Sequence, residues 1–141
     1  MGFSLIASAA ILGVTLFMAV EIVTSDLLPT IEGINDSYGD MNNRLRDQIQ
    51  TDINITRVTR LENGTNYNYN ITVQNTGSVT LNTEDFMILI NGTVYQSTCS
   101  HRYLYPESTV FFQVVNIAGV GATRIKVITN NGIADYYAYS P

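Results

Sequence analysis

Tryptophan is absent from this 141-residue chain, and lysine, histidine and cysteine occur once each, as Lys126, His101 and Cys99. A lone cysteine cannot close a bridge within the chain, so the fold must be held by a core rather than by disulfides. Cys99 and His101 form a Cys-x-His pair that lacks two of the four ligands of a tetrahedral site, and no metal is expected there. With one imidazole and no G-x-S-x-G elbow, no nucleophile, base and carboxylate can be assembled for hydrolysis. The adjacent carboxylates Glu84 and Asp85 would point to opposite faces of a strand, which suits a solvated turn better than a paired acid and base. Neither G-x-x-x-x-G-K nor G-x-G-x-x-G occurs, and Gly119-Val120-Gly121 has no helix after it, so it reads as a turn and no cofactor is implied. Six arginines and Lys126 are scattered through a chain of net charge −5. No basic face exists to neutralise phosphates, which excludes nucleic acid as a partner. The composition describes a binding or structural protein, not an enzyme.

Charge of either sign is missing from Phe3 to Val20. At 1.5 Å per residue that run extends about 27 Å, and carried on to Leu28 it matches the thickness of a bilayer, so residues 1–28 are expected to form a single transmembrane helix. No Lys or Arg stands ahead of Phe3, where a cleaved secretory leader would carry one, and an uncleaved anchor is expected. Ser4 and Ser8, and Ala9 and Gly13, lie at the small-xxx-small spacing that permits close helix approach in lipid. Acidic residues rather than a polybasic cluster follow the apolar run, which favours an external side for what comes next. Five Asn-x-Ser/Thr triplets, at Asn35, Asn54, Asn63, Asn70 and Asn91, agree, since these are glycan acceptors only beyond the membrane.

Pro29 is expected to interrupt the helix at the end of the apolar run, because it lacks an N–H and crowds the preceding turn. Residues 29–52 then form an amphipathic stalk: Ile31, Ile34, Tyr38, Met41, Leu45 and Ile49 recur at steps of three and four. Gly33, Gly39, Asn42 and Asn43 make that helix marginal alone, so it needs a partner surface, either its own β-domain or a second chain in a coiled stalk.

From Ile53 the period becomes two. Residues 53–61 and 67–73 read as half-buried strands joined by a turn at Glu62-Asn63-Gly64, since Asn and Gly tolerate positive φ. Further apolar runs at 79–81, 86–90, 94–95, 110–117, 125–128 and 133–139 bring the total to seven or eight short strands. The fold class expected is mainly β with an N-terminal α-helix: a transmembrane helix and stalk, then an immunoglobulin-like antiparallel β-sandwich over 53–141. Gln96–Ser108 reads as the longest irregular link, and its Tyr103 and Tyr105 are candidates for partner binding because loops on a rigid scaffold carry recognition. Tyr136, Tyr137 and Tyr139 crowd the last strand and are further candidates, with Tyr136 on the face opposite the other two.

The opening Met1-Gly2-Phe3-Ser4 running straight into an apolar helix, the segment Val73-Gln74-Asn75-Thr76-Gly77-Ser78-Val79 and the late hairpin Thr129–Tyr136 together resemble the FlaF (ArlF) family of archaellum accessory proteins. That resemblance implies a stator of the archaeal motility machinery that crosses the cytoplasmic membrane once. It further implies a sandwich in the pseudoperiplasm that dimerises and holds the surface (S-) layer protein, with a FlaG-like protein and motor components as companions. The same helix-and-sandwich plan is similar to archaellin and type IV pilin subunits, whose helices bundle into an extracellular filament. Gly2-Phe3 is similar to their cleavage junction, while the absent basic leader departs from it.

Overall fold

A computed structural model describes residues 1–119 and 121–141, so the middle residue of the Gly119-Val120-Gly121 turn lies outside the described residues. It divides into two compact units, Met1–Asn43 and Arg44–Pro141.

The first unit is helical. Helix α1 runs from Gly2 to Ile22, a π-helical turn spans Val23–Leu27, and α2 runs from Leu28 to Gln50, ending in the second unit. The Gly2–Gln50 helical stretch is long and apolar enough to cross a membrane by length and composition. Pro29 does not break it. The break expected there is replaced by the wide π turn just upstream, where the Leu28 N–H donates to the Val23 carbonyl. A π turn shifts the carbonyls that a proline ring would otherwise strike, so the continuous helix accommodates Pro29 just after the turn, where α geometry resumes. Hydroxyls serve the carbonyls of this region: Thr24 donates to Val20, Ser25 to Glu21 at 2.6 Å and Thr30 to Asp26 at 2.5 Å. The stripe Ile31, Ile34, Tyr38, Met41, Leu45 and Ile49 is exposed at every position.

The second unit is an antiparallel sandwich with ten strands among the described residues: β1 Ile53–Asn63, β2 Asn66–Asn75, β3 Leu81–Asn82, β4 Met87–Ile90, β5 Thr93–Tyr95, β6 Thr98–Cys99, β7 Tyr103–Leu104, β8 Thr109–Ile117, β9 Thr123–Ile128 and β10 Ala134–Tyr139. One sheet has the order β1-β2-β8-β6 and the other β10-β9-β4-β5, while β3 and β7 pair as a ribbon. Inward residues of both sheets, among them Ile53, Ile71, Val73, Phe112, Ile88, Ile125 and Val127, merge into one buried cluster. Each fully buried aliphatic of this set contributes about 1.5–3 kcal/mol by leaving water. The β1–β2 hairpin closes on Gly64 and Thr65, with Gly64 at φ +63°, and the β4–β5 hairpin on Asn91 and Gly92, both at positive φ, as their Asn-Gly chemistry predicts.

Two features depart from the sequence reading. Gln96–Ser108 is not irregular throughout: it contains β6, which pairs Cys99 with Phe112, and β7, which pairs Leu104 with Leu81. Leu104 is fully buried, and Thr83 donates to the carbonyls of His101 and Arg102, so one apolar residue and its neighbouring backbone fasten a polar, aromatic stretch. The second departure is a bulge in β1, where Ile55 faces Val73 but Arg57 faces Thr72, making Thr56 an extra residue. Alternation restarts one position late, so Val58 is buried while Leu61 is exposed.

The end of α2 is tied to this unit through the turn after β2. Asn75 is fully buried, and its Nδ2 donates to the carbonyls of Val79 at 2.7 Å and Leu104 at 3.1 Å while Oδ1 accepts from the Gly77 N–H. The N–H groups of Thr76 and Gly77 donate to the Asp52 carbonyl and that of Ser78 to the Gln50 carbonyl. A Cβ on Gly77 would collide with the Gln50 carbonyl oxygen and lie 2.5 Å from the Asp52 nitrogen. Gly77→Ala is therefore expected to cost about 2 kcal/mol or more, since backbone must move. Asn75→Ala, which strands two carbonyls and an N–H, should cost about 3 kcal/mol. Urea unfolding followed by tyrosine fluorescence measures both, with Gly64→Ala as a milder comparison, because there the cost is confined to the positive φ of +63° and no neighbour has to move.

Candidate partner-binding surfaces

The tyrosines singled out by sequence lie at two places. Tyr103 on β7 and Tyr105 just beyond it are exposed, their rings 6.5 Å apart and tilted by 45°. Arg102 lies 5.7 Å from the Tyr103 ring centre and forms an ion pair with Glu84 at 3.2 Å, both partners well exposed. An exposed pair of this kind adds little stability and leaves both groups open to a partner. A cleft of about 850 Å³ opens beside them, between the 3-10 turn Thr83–Asp85 and the β5–β6 connection. Its walls include Phe86, Tyr95, Cys99 and His101. Glu84 and Asp85 thus sit in the turn that their adjacency suggests, with Asp85 accepting from Asn82 Nδ2 at 2.8 Å. Cys99 is a free, half-buried thiol, and no cluster of three His, Cys, Asp or Glu that could hold a metal occurs among the described residues.

The second place is β10, an edge strand on the opposite side of its sheet from β5, where the Gln96–Ser108 segment departs. Tyr136 is 60% exposed, with Lys126 Nζ 5.0 Å from its ring centre. Tyr137 and Tyr139 are half-buried and pack on the core, and Tyr139 meets the buried Tyr69 edge-on at 5.9 Å. Strand alternation separates them in this way, so Tyr136 is the solvent-facing member of the trio and the other two pack on the core. The neighbouring edge strand β1 is bound to β10 by the Ile55 N–H, which donates to Asp135 Oδ2 at 2.7 Å.

Two surface features escaped the sequence reading. Phe111 and Val115 of β8 are each about half exposed on the outer face of their sheet. Both belong to the apolar run 110–117, whose two faces the sequence reading did not distinguish. Arg60, shifted inward by the bulge, lays its guanidinium 4.3 Å from the Tyr67 ring centre and 5.7 Å from that of Tyr139, with Nη1 buried and without a hydrogen-bond partner among the described residues. The three-residue step from Ile55 to Val58 is the only sequence signal of that shift.

Of the five triplets, Asn35 lies on α2, Asn54 and Asn63 on β1, Asn70 mid-β2 and Asn91 in the β4–β5 turn. All are exposed except Asn70, whose Oδ1 is buried between β1 and β8.

The sequence matches no protein-family model and no curated protein. Among solved structures, the chain is similar to the archaellum periplasmic stator protein FlaG from Sulfolobus acidocaldarius, at 18% identity and a TM-score of 0.55, over 63% of this chain and 99% of that one. It is also similar to the complex of the archaellum periplasmic stator proteins FlaF and FlaG from the same organism, at 17% identity and a TM-score of 0.53, over 62% of this chain and 87% of that one. The likeness is one of fold.

The division of labour among the last tyrosines is directly measurable. Tyr139→Ala should destabilise the fold by about 2–3 kcal/mol through lost packing on Tyr69 and Arg60, whereas Tyr136→Ala should stay within about 0.5 kcal/mol of the parent. Thermal unfolding of the two variants checks this.

Proposed function

We propose that this chain is a membrane-anchored accessory component of an archaellum, and that it acts as a stator. The single observation that carries the reading is an apolar N-terminal helix of membrane-spanning length joined in one chain to a sandwich whose fold is that of archaellum stator proteins. The neighbours comprise FlaG and its complex with FlaF, so the coarser assignment is an archaellum accessory protein, and FlaF is the finer one that the opening residues favour.

In this reading residues 1–28 cross the cytoplasmic membrane once, residues 29–52 form a stalk, and the sandwich of 53–141 faces the pseudoperiplasm, where it holds the S-layer protein. The mechanism is mechanical. A rotating filament exerts an equal and opposite torque on its motor, and a part fixed to a rigid outer lattice keeps the motor from turning instead. Nothing in that role calls for catalysis. A weak contact suffices when many copies meet a repeating lattice, because linked sites bind as an array. Tyr103, Tyr105 and Tyr136 offer large, amphipathic contact area at low rotamer cost, and they are the residues proposed to touch a partner, either the lattice or a FlaG-like companion. The exposed triplets at Asn35, Asn54, Asn63 and Asn91 are proposed glycan acceptors. Asn70 is not, because its side chain is half-buried between two neighbouring strands.

The test is saturable binding of the full-length protein, held in lipid discs, to purified surface-layer protein. Binding that falls about tenfold in Tyr103→Ala or Tyr136→Ala, with thermal stability unchanged, is the expected result. No binding even when many copies share one vesicle would overturn lattice attachment and favour the filament-subunit reading. Glycopeptide mass spectrometry of protein from its native membrane should find any glycan on the four exposed asparagines, and occupancy at Asn70 would contradict the assignment.

A further inference from the structure

The exposed stripe of α2 carries an electrostatic pattern of its own. Ile31, Ile34, Tyr38, Met41 and Leu45 recur at steps of three, four, three and four, which is the a/d repeat of a coiled coil with Ile31, Tyr38 and Leu45 at a and Ile34 and Met41 at d. In a parallel pair the residues flanking such a seam face the neighbouring helix. Here they are Thr30, Ser37 and Arg44 on one side and Asn35, Asn42 and Ile49 on the other. Five of the six are uncharged, and Arg44 would meet Ile49 of the second helix, where its aliphatic stem can lie. The four carboxylates of this helix, Glu32, Asp36, Asp40 and Asp47, all fall at positions turned away from the seam.

That distribution discriminates between occupants. In a pair of identical helices every acid at a flank is added twice beside the same seam and raises its negative charge without a matching base, and α2 keeps its acids out of those positions. A basic partner helix would be matched by acids at the flanks, and a membrane surface by cations there, and α2 has neither arrangement. The same face bears a shallow, open depression lined by Thr30, Gly33, Ile34, Ser37, Tyr38 and Met41. Their spacing is that of the holes which receive knobs from a facing helix, and Gly33, where an added Cβ would meet nothing, widens it.

We propose that α2 pairs in parallel and in register with α2 of a second copy of this chain along the Ile31–Leu45 seam. The proposal rests on the anchoring part of the function proposed above, because apolar helices held in one membrane present their stalks in the same direction and at high effective concentration. Little more than two heptads with two glycines pair weakly when free, and the tether supplies the remainder.

The test uses the full chain in membrane vesicles, in a Cys99→Ser background, with single cysteines placed in turn along the helix and mild oxidation. Ile34→Cys, Tyr38→Cys, Met41→Cys and Leu45→Cys should give disulfide-linked dimers about tenfold more readily than Asp36→Cys, Asp40→Cys and Asn43→Cys, since only seam positions bring equivalent residues within bridging distance. Adding Met41→Lys to the Ile34→Cys variant should abolish the excess. A flat profile, a maximum on the acidic face, or mixed disulfides with another protein in place of homodimers would overturn the proposal. Carbonate extraction reads the anchor separately: a chain that stays in the membrane without the periodic profile sinks the seam alone. A chain released into the soluble phase sinks the anchor, and the seam is then judged by the same profile in solution.

Discussion

The sandwich depends on one buried amide. Asn75 ends β2 with no exposure to solvent, and its side chain satisfies the carbonyls of Val79 and Leu104 and the N–H of Gly77. Its backbone adds bonds to Ser108 and from Glu107. Four segments therefore converge on one residue: the end of β2, the approach to β3, the β7 strand and the entry to β8. Unmet, each of those polar groups would cost about 1–3 kcal/mol in a dry interior, so the turn is specified by hydrogen bonding as much as by its glycine. The close approach of Gly77 to Gln50 and Asp52 follows from the same turn, and it is how the last residues of α2 are held to the β unit.

The two sheets share one apolar cluster, β1 and β10 are joined through Asp135, and the helix terminus enters the fold through backbone hydrogen bonds rather than through a flexible linker. The chemistry-bearing groups are sparse and exposed: His101 shares a hydrogen bond with Ser100, and Arg102 pairs with Glu84 on the surface. Surface tyrosines and a cleft lined by the β5–β6 connection are the exposed features on which the proposed partner contacts rest. The electrically quiet seam of α2 and its displaced acids extend the same logic to the helix, where charge placement selects which surface can meet another.

Much of this was legible in the residues. Asn91-Gly92 located the β4–β5 hairpin, and Glu62-Asn63-Gly64 placed the β1–β2 turn close to its true position, although Glu62 and Asn63 belong to β1 and the chain reverses at Gly64-Thr65; period-two alternation placed β2 and β10 and set Tyr136 on the face opposite Tyr137 and Tyr139. Less legible were features whose cause is tertiary. The bulge at Thr56 flips the outer half of β1, so Arg60 rather than Leu61 turns inward, and only a three-residue step between Ile55 and Val58 hints at it. The β3–β7 ribbon hangs on Leu104, a single apolar residue in a stretch that composition alone assigns to a loop. Pro29 reads as a break because sequence rules assume α geometry on both sides, whereas a π turn shifts the carbonyls that the ring would strike. Phe111 and Val115 share the outer face of β8 with Gln113, and that single polar residue is the only mark of which face of a largely apolar run meets solvent.

The central claim, a stationary part that resists torque, is tested most directly in the native cell by deleting this chain and examining filaments and swimming together. The account predicts assembled archaellar filaments on cells that do not swim, with motility restored by the full chain and not by residues 44–141 alone. Cells without filaments would instead identify a filament subunit, and normally swimming cells would contradict a role in holding the motor.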